Sequence, residues 1–139
     1  MKPPSPSYAT NGTDAKLAWD YSVDDKQKEL QGILFNVEIG GVFKRMLVLM
    51  KNGTVVEHPA IPSEYTGRVG VKGNATLVIS NVSPQDGTFF KCQLVPESGQ
   101  GQIQESVVEL IVTGKLINYI RIREEHTHFS RVLNRLNKL

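Results

Sequence analysis

Apolar and polar residues alternate along most of this chain. Ala15, Leu17, Trp19 and Tyr21 are separated by Lys16, Ala18 and Asp20. A period of two turns one face of an extended strand toward a core and the other toward water. Ile33, Phe35, Val37 and Ile39 repeat the pattern. Lys44 to Lys51 reads as a third strand, closed by Lys51-Asn52-Gly53-Thr54, where Asn-Gly tolerates the positive φ of a hairpin turn. Arg68 to Val71, Ala75 to Ser80, Thr88 to Leu94 and Glu105 to Val112 complete the set. Gly70, Gly73 and the glycine-rich Glu97 to Gly101 mark connections. Many short strands spaced by turns predict an all-β sandwich or barrel.

The ends of the chain read differently. Residues 1–7 hold three prolines and predict an extended lead-in, leaving residues 8–114 as the domain. In residues 115–139, Phe129, Val132, Leu133 and Leu136 fall at i, i+3, i+4 and i+7, among Arg131, Asn134, Arg135 and Lys138. That spacing predicts a short, basic, amphipathic helical tail, able to lie on a membrane surface or an acidic partner. The alternative is a linker, or sequence unrelated to the domain.

The most specific stretch is Asp86-Gly87-Thr88-Phe89-Phe90-Lys91-Cys92. It resembles the D-x-G-x-Y-x-C signature of immunoglobulin domains, with Asp86 six residues before Cys92. Two departures stand out: Gly87 sits one place early, and Phe90 holds the corner-tyrosine position without a hydroxyl. Ser83-Pro84-Gln85-Asp86 suits a single helical turn, with Ser83 as N-cap and Pro84 first. Arg68, eighteen residues before Asp86, resembles the ion-pair arginine of V-type domains; its guanidinium would grip Asp86 in a bidentate fork. Leu77, Ile79 and Val82 would face the core from the strand the family calls E. In strand B, Leu17-Ala18-Trp19 resembles the L-x-C triplet, with Trp19 where the cysteine belongs. Strand C has no tryptophan, leaving Phe35 or Ile33 as its stand-in. The resemblance implies a V-type immunoglobulin-like two-sheet Greek-key sandwich, similar to invertebrate cell-surface receptors of the allorecognition type. Trp19, Phe35, Leu77, Phe90 and Cys92 are its expected core, with Trp19 filling the volume that a disulfide and a strand-C tryptophan share. A buried indole contributes a few kcal/mol, comparable to the roughly 2–4 kcal/mol of a disulfide.

Composition adds the compartment. With 139 residues, 40% hydrophobic and 22% charged, the chain suits one packed domain. The formal charge of +2 divides into a mildly acidic domain and a basic tail. A single cysteine excludes an intrachain disulfide and by itself favours a reducing compartment. Four Asn-x-Ser/Thr triplets, at Asn11, Asn52, Asn74 and Asn81, point the other way, to glycosylation and an extracellular or cell-surface setting. Pro84 lowers the use of Asn81. No apolar run approaches the ~20 residues of a membrane span, and no leader follows Met1, so export signal and anchor are expected outside this chain.

Catalytic chemistry finds no footing in the pattern. His58, His126 and His128 lack the partner spacing of a metal site. Cys92 points inward as a small hydrophobe, and Asp24-Asp25 and Glu97 read as solvated loop carboxylates. No phosphate loop is present, and no cofactor, metal or nucleic acid is expected. Function is therefore expected of a surface. Alternation from Cys92 turns Phe89 and Lys91 outward. It turns Leu34, Asn36 and Glu38 outward on the strand around Ile33 to Ile39, Leu47 and Leu49 on the Lys44 to Lys51 strand, and Val107, Glu109 and Ile111 on the Glu105 to Val112 strand. Leu34, Leu47, Leu49, Phe89, Val107 and Ile111 form the expected protein-binding patch, open to a protein partner or to a second copy. The glycine-rich Glu97 to Gln102 falls where V domains carry antigen-contacting loops. The rival readings are an intracellular structural immunoglobulin domain and a carbohydrate-binding sandwich, the latter needing Tyr8, Tyr65 and Tyr119 to meet in one groove.

Overall fold

A computed structural model describes residues 6–19, 30–97 and 101–114. Among the described residues nine strands form two sheets: β1 Ser7–Thr10, β2 Ala15–Ala18, β3 Leu30–Ile39, β4 Val42–Met50, β5 Val55–Glu57, β6 Val69–Lys72, β7 Thr76–Ile79, β8 Phe89–Pro96 and β9 Gln104–Thr113. The larger sheet has the order β1-β9-β8-β3-β4-β5, and the smaller the order β2-β7-β6. All pairings are antiparallel except β1 with β9. This is the V-type immunoglobulin sandwich, in which two further strands extend the three-stranded sheet of the simpler form.

Inward side chains of the two sheets meet in one core. Ala15, Leu17 and Trp19 from the small sheet's side, and Ile33, Phe35, Val37, Phe90, Cys92, Leu94, Val108 and Leu110 from the large sheet, are all buried. Phe35 lies opposite Cys92 in register, and the Trp19 ring packs on Phe35 with centroids 6.0 Å apart. Cys92 is a free thiol, pushed up to about 12 by burial, so it sits in the core as a neutral hydrophobe.

Two strands go beyond the sequence pattern. β1 starts at Ser7, inside the expected lead-in, and runs parallel to β9 from Ser7↔Leu110 to Thr10↔Thr113. β5 is three exposed residues held to β4. Both lie at sheet edges and are too short for alternation to register.

β4 contains the main departure. Phe35 pairs with Leu47 and Asn36 with Arg45, so Met46 is an extra residue on β4. Its carbonyl accepts the His58 N–H instead, at 2.9 Å. The bulge reverses the phase of the strand. Phe43 and Arg45 face outward before it, whereas Val48 and Met50, opposite Leu34 and Gly32, face outward after it.

Candidate protein-binding face

The outer face of the six-stranded sheet is assembled by register. Glu109, Phe89, Glu38 and Phe43 form one row across β9, β8, β3 and β4, as the pairings Phe89↔Glu109 and Glu38↔Phe43 fix. Val107, Lys91, Asn36 and Arg45 form the next, and Glu105, Gln93, Leu34, Val48 and Val56 the one after.

A hydrogen-bonded strip crosses the middle of this face. Asn36 is only 3% exposed although it points outward, because Arg45 and Gln93 close over it. Its Nδ2 donates to Gln93 Oε1 at 3.1 Å and to the Lys91 carbonyl at 3.3 Å. Arg45 Nε donates to Asn36 Oδ1 at 3.4 Å and its Nη2 to Gln93 Oε1 at 3.3 Å. Gln93 Nε2 donates to Glu105 Oε2 at 2.9 Å, and Lys91 Nζ lies 3.9 Å from the same carboxylate. Lys91 also sits 4.4 Å from the centre of the Phe43 ring. Side chains tied to each other in this way hold a fixed arrangement before any partner arrives.

Apolar side chains flank the strip. Toward the β1 edge, Tyr8 is 67% exposed and Phe89 and Val107 are each 40% exposed. Ile111, opposite Tyr8 in register, is half-buried between them. Toward the β5 edge stand half-buried Leu34 and Val48 and exposed Met50 and Val56. Of the six side chains expected outward, Leu34, Phe89, Val107 and Ile111 lie on this face. Leu47 and Leu49 do not: Leu47 is buried beside Phe35, and half-buried Leu49 packs on the core opposite Ile33. The Met46 bulge is the reason. Phe43, Arg45, Gln93, Val48 and Tyr8 are the members that alternation alone did not single out.

The corner beneath this face is fixed by charge. Arg68 Nη2 lies 2.8 Å from Asp86 Oδ2 and donates as well to the carbonyls of Ser80 and Asn81. Its second donor reaches Asp86 Oδ1 at 3.4 Å, completing the fork. Asp86 ends a 3-10 turn, Pro84–Asp86, and accepts the Ser83 amide at 2.9 Å. Tyr65, buried in the Ser63–Tyr65 turn, donates its hydroxyl to Asp86 and sets its ring edge-on to Phe90, 6.2 Å away. Burial opposes ionisation of Asp86, yet hydrogen bonds from Arg68, Ser83 and Tyr65 outweigh it and hold the carboxyl below its ordinary range. Burial first, and then the Asp86 charge, push the Tyr65 phenol upward.

The remaining expected residues scatter. Asn11, Asn52, Asn74 and Asn81 occupy turns between strands. Glu97 pairs with Lys51 across the end of the sheet. Tyr8 stands on the outer face while Tyr65 is buried in the corner, so these two share no groove. Tyr21, Asp24, Asp25, His126, His128, Tyr119 and the amphipathic segment 115–139 lie outside the described residues, as does most of the glycine-rich connection.

No family model matches the chain. Over 103 residues it is 29% identical to V-set and immunoglobulin domain-containing protein 1 of Xenopus laevis, an alignment covering 71% of this chain and 32% of that one. The chain therefore spans about a third of that relative's length. Among solved structures, murine CRIg matches with a TM-score of 0.64 at 18% identity, covering 80% of this chain and 94% of that one. Murine CEACAM1b matches with a TM-score of 0.59 at 16% identity, covering 78% and 51%.

Proposed function

We propose that this V-type immunoglobulin domain is a non-catalytic recognition module of a cell-surface or secreted protein, and that it binds a protein partner through the outer face of its six-stranded sheet. One observation carries the reading. Exposed Phe89, Val107 and Tyr8 adjoin a hydrogen-bonded strip that is already ordered, centred on buried Asn36. Apolar anchors beside fixed polar groups are what a protein interface uses for affinity and for register. The turn positions of the four Asn-x-Ser/Thr triplets support it, since none of these asparagines lies within a strand of this face.

A second copy of the chain is the partner to test first. The face presents Lys91 and Arg45 in one row between acidic rows that hold Glu38 and Glu109 on one side and Glu105 on the other. A two-fold axis near the strip sets the cations of each copy against the carboxylates of the other.

Phe89→Asp places a charge among the apolar anchors at a position exposed enough to leave the core intact. Sedimentation velocity over a concentration series, and aggregation of beads coated with the domain, are expected to show association in the parent and its loss in the variant, with matching thermal melts. Equal association of the two proteins would remove this face from the binding reading.

A further inference from the structure

We infer that Asn52 is an N-glycan acceptor, and that its glycan covers the β5 edge of the large sheet; this rests on the export that the recognition reading assumes. Apart from Pro84, which follows the Asn81 triplet, the four triplets look alike in sequence, but the fold treats them differently. Asn52, Gly53 and Thr54 form the exposed tip of the β4–β5 hairpin. The Thr54 amide donates to Asn52 Oδ1 at 2.9 Å, which turns the carboxamide oxygen back onto the chain and leaves Nδ2 directed away from that bond. Gly53, with φ +89°, supplies the left-handed residue that the tight tip requires. Acceptor nitrogen and threonine thus stand together on an open turn.

The other three lack this arrangement. Asn11 is half-buried and its backbone N–H donates to the Thr113 carbonyl at 2.7 Å, while the Thr13 hydroxyl donates to the Thr10 carbonyl at 2.7 Å. Asn74 is exposed, but Ala75 is 2% exposed and Thr76 is already paired within β7. Asn81 sits at φ +51°, its backbone N–H donating to Asp14 Oδ1 and its backbone carbonyl accepting from Arg68, ahead of buried Val82 and of Ser83-Pro84. Only at Asn52 does the folded domain present the whole triplet.

The location supplies the consequence. β5 is an edge strand with Val55 40% and Val56 44% exposed, the kind of edge that invites strand pairing with another chain. A glycan on the adjoining turn screens that edge. It also stands at the opposite end of the sheet from Phe89, since β4 runs its length between them, roughly 25 Å at strand rise. It therefore leaves the Tyr8–Phe89–Val107 region open. In the transfer, Asn52 Nδ2 bonds to the anomeric carbon of a lipid-linked oligosaccharyl pyrophosphate. The carbon–oxygen bond to the pyrophosphate breaks, the lipid pyrophosphate departs, and the amide loses one proton.

The test is expression of the full chain behind a cleavable leader in a eukaryotic secretory host, with secreted and retained pools both analysed. Enzymatic deglycosylation in heavy-oxygen water, followed by peptide mass mapping, reads occupancy at each asparagine. The expected result is Asn52 as the most occupied site and a one-step gel shift lost in Thr54→Ala. Leader-cleaved protein with bare Asn52, or with Asn81 more occupied than Asn52, would overturn the inference. Occupancy is read without any binding measurement, so an inactive Phe89 face and an unmodified Asn52 are separate failures. The Thr54→Ala protein is also expected to self-associate through an edge that Phe89→Asp does not disrupt; unchanged association in the glycan-free protein would sink the edge-covering role.

Discussion

At the scale of single residues, Asp86 concentrates the most local chemistry. It is nearly buried, yet it keeps its charge because Arg68, the Ser83 amide and the Tyr65 hydroxyl all bond it. Its folded pKa lies below the unfolded one, so its stabilisation is fully present above the ordinary aspartate value of about 4 and is lost as pH falls through the lower folded value. Asp86→Asn is expected to cost about 1.5–3 kcal/mol at neutral pH, the range for hydrogen bonds to charged groups. It should also flatten the fall in stability below about pH 4. Urea denaturation of both proteins across pH 3–7 (about the carboxylate range) checks this, and parallel curves would show that Asp86 is not the linked group. Arg68 and Asp86 were legible in the sequence because their spacing is a family pattern. Tyr65 was not, because what joins it to Phe90 and Asp86 is contact across space. A tyrosine three residues before Arg68 was the only available hint.

At the scale of elements, the strands with clear alternation appeared where the pattern placed them, to within about three residues at either end. β4 is the instructive case. Its apolar run Met46-Leu47-Val48-Leu49-Met50 offers no contrast between faces, so simple alternation from Phe43 and Arg45 runs on through it unchecked. The extra residue Met46 breaks that phase, and only pairing with β3 reveals it. A direct check compares Leu47→Asp with Val48→Asp. The first buries a carboxylate beside Phe35 and is expected to unfold the domain, read as loss of the cooperative melt. The second places it on the half-exposed outer face and is expected to cost about 1 kcal/mol or less. Equal effects would place the bulge elsewhere.

At the scale of the whole molecule, two sheets of unequal size must be joined without a disulfide. The large sheet has six strands and the small one three, so its outer face is broad while the core is concentrated under β2, β7 and β6. Trp19, leaving the end of β2, reaches across to Phe35 on the opposite sheet. Trp19→Ala is expected to cost about 3–5 kcal/mol by opening a cavity between the sheets. Trp19→Phe should cost far less, since among the described residues the indole N–H is buried without a partner. Denaturant midpoints measure both. A loss below about 1 kcal/mol for the alanine variant would show that the sheets are held elsewhere.

The sequence by itself determined the strand class, the sandwich, the lone cysteine and the Arg68–Asp86 corner. The strand class follows from period-two alternation, a local property of a chain; the choice of a sandwich over a barrel and the Arg68–Asp86 pairing came from the resemblance to immunoglobulin domains. Only the tertiary structure decided which apolar residues of β4 face outward, that Tyr65 completes the corner, that Asn36 anchors a closed polar strip, and that Asn52 alone presents an open triplet. Each of these depends on which strand lies beside which, and register is set by packing and bulges that no single segment records.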